Sequence, residues 1–198
     1  LKALFNYIFF VSTLLAAVLL IACKDKDGPK PKLNLWQAIE QEKELSIFET
    51  AISISGLQPL FEEEDGPFTV FAPTNDAILT FFQDFGFDAG LADLSPQDLQ
   101  IVVLYHVVDG RQFLENFGEE AGYPTLFNGF EAFISRNGET VSINDVSKVI
   151  IGDFEASNGN LHIVDHTFFI KAADGSIGIP GADGGGIGSG NDPNRRGP

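Results

Sequence analysis

The chain has 198 residues, 44% of them hydrophobic, enough for one core-bearing domain with tails. Acidic residues outnumber basic ones 28 to 12, a formal net charge of −16, and the excess is concentrated between Leu33 and Lys171, where 23 acidic residues stand against 5 basic ones. A surface of that sign repels phosphate backbones, which are recognised through clustered Lys and Arg, so nucleic acid is excluded as a partner.

The chain holds no Met and begins with Leu1, so either N-terminal residues are missing or the start codon is unusual; an extension past Pro198 is equally open. Residues 1–22 pair a positive Lys2 with a 15-residue apolar stretch, Ile8 to Ala22, interrupted by Ser12 and Thr13. That is short for a bilayer-spanning helix, which needs about 20 apolar residues, and it suits the apolar region of a signal peptide. The closing Leu20-Ile21-Ala22-Cys23 resembles a bacterial lipobox, in which Cys23 becomes the lipidated first residue of the mature protein. Cys23 is the single Cys, so it has no intrachain disulfide partner. Lys24-Asp25-Lys26-Asp27 resembles the surface-export signals of Bacteroidetes lipoproteins, and residues 23–32 are expected to be a solvated tether. Anchoring at the outer membrane, with the domain exposed at the cell surface, is the address these features imply.

The folded part is expected over 33–171. Leu35, Trp36 and Ile39 share one face of a short helix with Asn34 as a candidate cap. A second helix starts at Ser46, where Ser46-Ile47-Phe48-Glu49 fits a capping box, and Gly56 is placed to stop it. The acidic run Glu62 to Asp65 reads as a solvated turn, since one run brings no converging metal ligands from elsewhere. Phe68 to Ala72 has strand character, with Phe68, Val70 and Ala72 on one face and Thr69 and Phe71 on the other; Pro73 should end it. In the polar knot that follows, Thr74 or Asn75 is a helix cap and Asp76 suits the positive helix end, with Ala77, Ile78, Phe81 and Phe82 turned inward.

Ser95-Pro96-Gln97-Asp98 marks another helix start, and that helix runs through Leu104 into Tyr105-His106 before Asp109-Gly110 turns the chain. From there the period changes to two. Phe130 to Ser135 and Glu139 to Ile143 flank the hairpin signal Arg136-Asn137-Gly138; Val149 to Phe154 and Leu161 to Phe169 follow, separated by Ser157-Asn158-Gly159. Helices first and a meander later indicate an α+β fold. Residues 172–198 are rich in Gly, Asp, Asn and Pro and cannot bury a core, so a disordered tail is expected.

Three stretches, "FTVFAPTNDAI" at 68–78, "LYHVVDG" at 104–110 and "EASNGNLHIVDHTFFI" at 155–170, together resemble the motifs of fasciclin-like domains, in the family's order. The resemblance implies two small β-sheets in a wedge with helices packed around one side, and no shared catalytic mechanism. It also implies a role in adhesion: animal members bind matrix and integrins, and bacterial members are commonly secreted or surface proteins. Thr74, Asn75, Asp76, Tyr105, His106, Asn158, Gly159, His162 and Asp165 occupy family-motif positions and are expected to be structural. Ile78 stands where the family often has Phe, and His166 falls where the pattern is loose.

Among acid–base candidates, His106 is expected to be a buried imidazole bonded to backbone or to the polar knot, packed near Thr74 to Asp76. His162 and His166 on one strand would lie about 13 Å apart, too far to share a metal, and no Cys or third His completes a site. There is no Gly-x-Ser-x-Gly elbow and no Cys in the domain, so no enzyme, metal or cofactor is expected. The function these observations favour is adhesion or protein/glycan interaction by a lipid-anchored module, toward a basic surface or matrix partner or through a Ca²⁺ bridge. The rival is an apolar ligand, carotenoid-like or lipidic, suggested by 19 Phe and by fasciclin-like proteins that bind carotenoids.

Overall fold

The computed structural model describes residues 32–62, 66–171 and 177–178. The signal-like segment, Cys23 and its tether up to residue 31, the acidic residues 63–65 and most of the Gly-rich tail lie outside them. Five α-helices lie in the first half of the described chain, three before the first strand and two after it: α1 (Leu35–Gln41), α2 (Ser46–Ser55), α3 (Gln58–Glu62), α4 (Asn75–Phe85) and α5 (Pro96–Tyr105). Their starts are set by side chains. Asn34 and Gln37 form a reciprocal capping box on α1, Ser95 and Asp98 form another on α5, and Thr74 accepts from Ala77 N at 3.1 Å to cap α4. Gly56 and Gly86 end α2 and α4 in the left-handed conformation that a side chain resists.

The capping box expected at Ser46 does not form. A 3₁₀ turn, Lys43–Leu45, runs straight into α2, so Ser46 is already helical and its hydroxyl faces Asn75 rather than its own helix end. The cap comes from outside: Asn75 Oδ1 accepts from Ile47 N at 2.9 Å.

Seven strands form one sheet in the order β2-β1-β7-β6-β5-β4-β3: β1 (Phe68–Pro73), β2 (Val107–Asp109), β3 (Ala121–Pro124), β4 (Glu131–Asn137), β5 (Thr140–Ile143), β6 (Ser147–Ala156) and β7 (Gly159–Val164). β3 to β7 are an antiparallel meander, and β1 closes against β7 in parallel, Phe68 opposite Gly159. β6 divides the sheet into two leaves, because it pairs with β5 only at Ser147 and Lys148 and thereafter with β7. The outer strands meet again where Val108 bridges Thr125 and Leu126 N donates to Val107 O at 2.7 Å. The result is a wedge. A further two-residue ribbon pairs β8 (Ile170–Lys171) with β9 (Ile177–Gly178).

Strand alternation sends side chains to two cores. Phe68, Val70 and Ala72 of β1, with Leu161 and Ile163 of β7, meet the helices; Phe71 and Val164 point into the wedge against Ile134, Val141, Ile143 and Phe168. The faces read from the alternation of β1 are thus the faces observed. Two strand limits differ from expectation. The β4–β5 hairpin turns at Gly138-Glu139, one residue later than the Asn137-Gly138 centre, because Asn137 pairs with Thr140 and only Gly138 takes a positive φ of 64°. β7 ends at Val164 rather than Phe169, where Asp165 bends the chain and accepts from Lys148 N at 2.7 Å. α3, β3 and β9, the last within the tail expected to be disordered, were not expected at all; all three are short and carry no full period.

Candidate functional site

The polar knot after β1 is a two-helix clamp. While Thr74 caps α4, Asn75 reaches back to the start of α2: its Oδ1 takes the Ile47 amide, and its Nδ2 donates to Lys43 O and Ser46 Oγ, both at 3.0 Å. Asp76 is exposed in the first turn of α4. Asn75→Ala is expected to cost about 1–2 kcal/mol in urea unfolding, whereas Asp76→Ala should stay within about 0.5 kcal/mol. Asn75→Asp, which keeps the acceptor for Ile47 but loses both donors, should fall between them.

His106 and His162 are both fully buried. His106 Nδ1 donates to Val102 O at 2.7 Å, and its Nε2 accepts from Phe168 N at 3.3 Å; an amide can only donate, so this nitrogen carries no proton. Its ring lies 4.0 Å from that of Phe168, centroid to centroid. The bonds of His106 therefore go to backbone and not to the Thr74–Asp76 knot. His162 holds the opposite tautomer: Nδ1 accepts from Asp153 N and Nε2 donates to Gln112 O, both at 3.1 Å, and the ring stacks on Phe71. Burial pushes the His106 pKa down to about 4 and lowers that of His162 as well, against the smaller upward pull of their carbonyl partners and, for His162, of the Asp153 carboxylate. His166, by contrast, lies beyond the end of β7, exposed and paired with Asp165 at 3.0 Å. The expectation that His162 and His166 share a strand face is thereby corrected: the bend at Asp165 separates them. Desolvation works against the Asp165 charge, but the hydrogen bonds from His166 and the Lys148 amide outweigh it and hold the carboxyl below its usual range.

Tyr105 Oη donates to Glu131 O at 3.1 Å and accepts from Asn144 Nδ2 at 2.9 Å, tying α5 to the second leaf; burial raises its pKa, partly offset by Asn144. Asn158 is buried at the β6–β7 turn, where its Oδ1 takes the Leu35 amide at 2.8 Å, its Nδ2 donates to Phe61 O at 3.0 Å, and its carbonyl takes the Phe68 amide at 3.1 Å. One residue thus joins α1, α3 and β1. Gly159 lies against β1 so closely that a Cβ would sit 2.2 Å from Phe68 O.

Sequence reasoning missed Arg111 and Asn144. The Arg111 guanidinium is spent on the β6–β7 turn, donating to the carbonyls of Ala156, Ser157 and Gly159 and to Asn160 Oδ1 at 2.6–3.1 Å. Its signal was its rarity, one of 5 cations in the folded part. Asn144 and Asp145 turn the β5–β6 corner with φ of 52° and 58°, and Asn144-Asp145 is a turn pair that the sequence offered. Among the described residues no three His, Cys, Asp or Glu side chains gather as metal ligands, and no helix is long and apolar enough to cross a membrane.

Comparison with known proteins agrees with this geometry. Residues 43–169 match the family model of the fasciclin domain. The chain is 36% identical to human stabilin-1 over 70% of its own length, but spans only 5% of that protein. Human periostin is 28% identical over 75% of the chain, which covers 17% of periostin. An uncharacterised protein of Synechocystis sp. is 29% identical over 69% of the chain and is itself 98% covered. In structure, the chain resembles a FAS1 domain pair from the insect cell adhesion molecule fasciclin I, with a TM-score of 0.61 at 17% identity, over 71% of this chain and 52% of that one.

Proposed function

Since this chain belongs to the fasciclin-domain family, we propose that it is a non-enzymatic surface module, lipid-anchored through Cys23, that holds a protein or glycan partner on the outside of the cell. The observation that carries the proposal is the use of the motif residues. Thr74, Asn75, Tyr105, His106, Asn158 and His162 each spend their polar atoms on internal hydrogen bonds, so the motifs build the domain and recognition falls to its exposed surface. The fold likeness to a cell adhesion molecule supports the same direction.

The exposed surface is acidic. Between Leu33 and Lys171 the carboxylates outnumber the cations 23 to 5 and so dominate the field, and two of those cations, Arg111 and Arg136, are held in place by backbone carbonyls. A basic partner or a Ca²⁺-bridged one suits that field. Packing accounts for most of the Phe that suggested an apolar ligand: Phe48, Phe61, Phe68, Phe71, Phe81, Phe82, Phe117 and Phe168 are buried in the two cores, and Phe85, Phe87, Phe127, Phe130 and Phe169 pack against them.

The test is retention of matrix and envelope extracts by immobilised residues 24–198 at two salt concentrations, with and without EDTA. Saturable retention that weakens with salt, EDTA or both is the expected result. Retention indifferent to both would refute the electrostatic mechanism, and co-purification of a coloured or lipidic molecule in its place would refute the adhesion role.

A further inference from the structure

Seven large hydrophobic residues are exposed among the described residues, and four of them, Val146, Ile150, Ile151 and Phe154, lie on β6 or the residue before it. Ile151 is 58% and Ile150 54% exposed. The cause is local. Past Lys148, β6 leaves β5 and pairs with β7 alone, through two register shifts, between Val149 and Ile151 and between Ile151 and Phe154. Each shift adds residues to β6 that have no partner on β7. Ile151 and Phe154 pair with Ile163 and Leu161, whose side chains the helices cover, yet on β6 the helical layer has run out.

The same strand receives the chain arriving from the N-terminus. Lys32 Nζ is ion-paired with Glu155, and Ser157 N donates to Leu33 O at 2.8 Å, so the tether is fixed to the end of β6 one residue from Phe154. Nine residue steps lead from Cys23 to Lys32, a covalent reach of at most about 30 Å. We propose that the apolar strip Ile150-Ile151-Phe154 on β6 docks on the lipid surface to which the chain is anchored. This rests on the anchoring part of the function proposed above. A tether ending at this strand holds the strip at high effective concentration near the bilayer, where a few partly inserted apolar side chains suffice although alone they would bind weakly. The net negative charge of the folded part, 23 acidic residues against 5 basic ones, directs the docking toward zwitterionic rather than anionic lipid.

The experiment reconstitutes the full chain carrying Ile151→Trp into phosphatidylcholine vesicles with and without brominated acyl chains, which quench a Trp that enters the bilayer. Trp36, buried under the helical layer, gives a constant background, and Asp88→Trp in the turn after α4 is the control. Flotation of the vesicles reads anchoring independently of docking. Flotation with bromine quenching at position 151 and none at 88 is expected. Ile150→Ser with Phe154→Ser should leave flotation and the melting temperature unchanged while lowering the docked fraction about tenfold. Flotation without quenching overturns the docking and spares the anchor. Absence of flotation overturns the anchor and the docking with it. Concentration-dependent shielding of Trp at 151 from aqueous acrylamide, without bromine quenching, assigns the strip to a second copy of the chain and also overturns the proposal.

Discussion

Gly159→Ala should lower the stability of the domain by about 3 kcal/mol or more, a large share of the 5–15 kcal/mol typical of a domain, and its melting temperature by about 10 °C or more. The conformation of Gly159 is ordinary; the constraint is space. Its Cα faces the backbone of β1 across the parallel β1–β7 pair, and a Cβ would meet Phe68 O at 2.2 Å and Leu35 Cδ1 at 2.8 Å. A side chain could swing aside, but a strand backbone can move only by breaking the ladder that joins the two faces of the core. Leu35→Ala in the Gly159→Ala background is therefore expected not to rescue it, because the carbonyl clash persists. Gly118→Ala, where a Cβ meets nothing within 4 Å, should be close to neutral. Equal melting temperatures for Gly159→Ala and Gly118→Ala would show that β1 has room to yield.

The local chemistry of the helices was readable because it acts over three or four residues. The Asn34 and Ser95 caps, the Gly56 stop and the inward face of α4 all stood in the sequence and all form. Ser46 is the informative failure. Its capping box was locally sound, but Asn75, 29 positions away, supplies the cap, and no local pattern contains that contact. The same limit applies at the β6–β7 turn. Ser157-Asn158-Gly159 read as a turn, and it is one, but its tight packing comes from Leu35, Phe61, Phe68 and Arg111, which tertiary structure alone brings there. Alternation assigned the two faces of β1 correctly although both are buried, because successive side chains of any strand point to opposite sides. It could not locate the bulges of β6, where exposure of Ile150 and Ile151 breaks the pattern by which a strand is recognised.

The two buried imidazoles make a second large effect, set by pH. Folded His106 takes a proton only at about 4, whereas the unfolded chain binds it near 6.5, so between those values the unfolded state holds more protons and stability falls as pH falls. The full span is worth about 3 kcal/mol from His106. His162 acts in the same direction, because protonation of its Nδ1 would turn an acceptor for Asp153 N into a donor facing a donor. Acid should therefore loosen two places at once: the segment after β7 that Phe168 anchors, and the bulge of β6 at Asp153. Urea unfolding between pH 7 and 4.5 is the measurement. His106→Phe keeps a ring against Phe168 but removes the titration, so at pH 7 it should cost about 1–3 kcal/mol for the orphaned Phe168 amide. Below pH 6 its slope of stability against pH should be shallower than that of the wild type by about 1.3 kcal/mol per unit. A variant that is less stable at pH 7 but has an unchanged slope would mean that His106 is already protonated in the folded domain, and that the donor–acceptor pattern between Val102 and Phe168 is not what holds it.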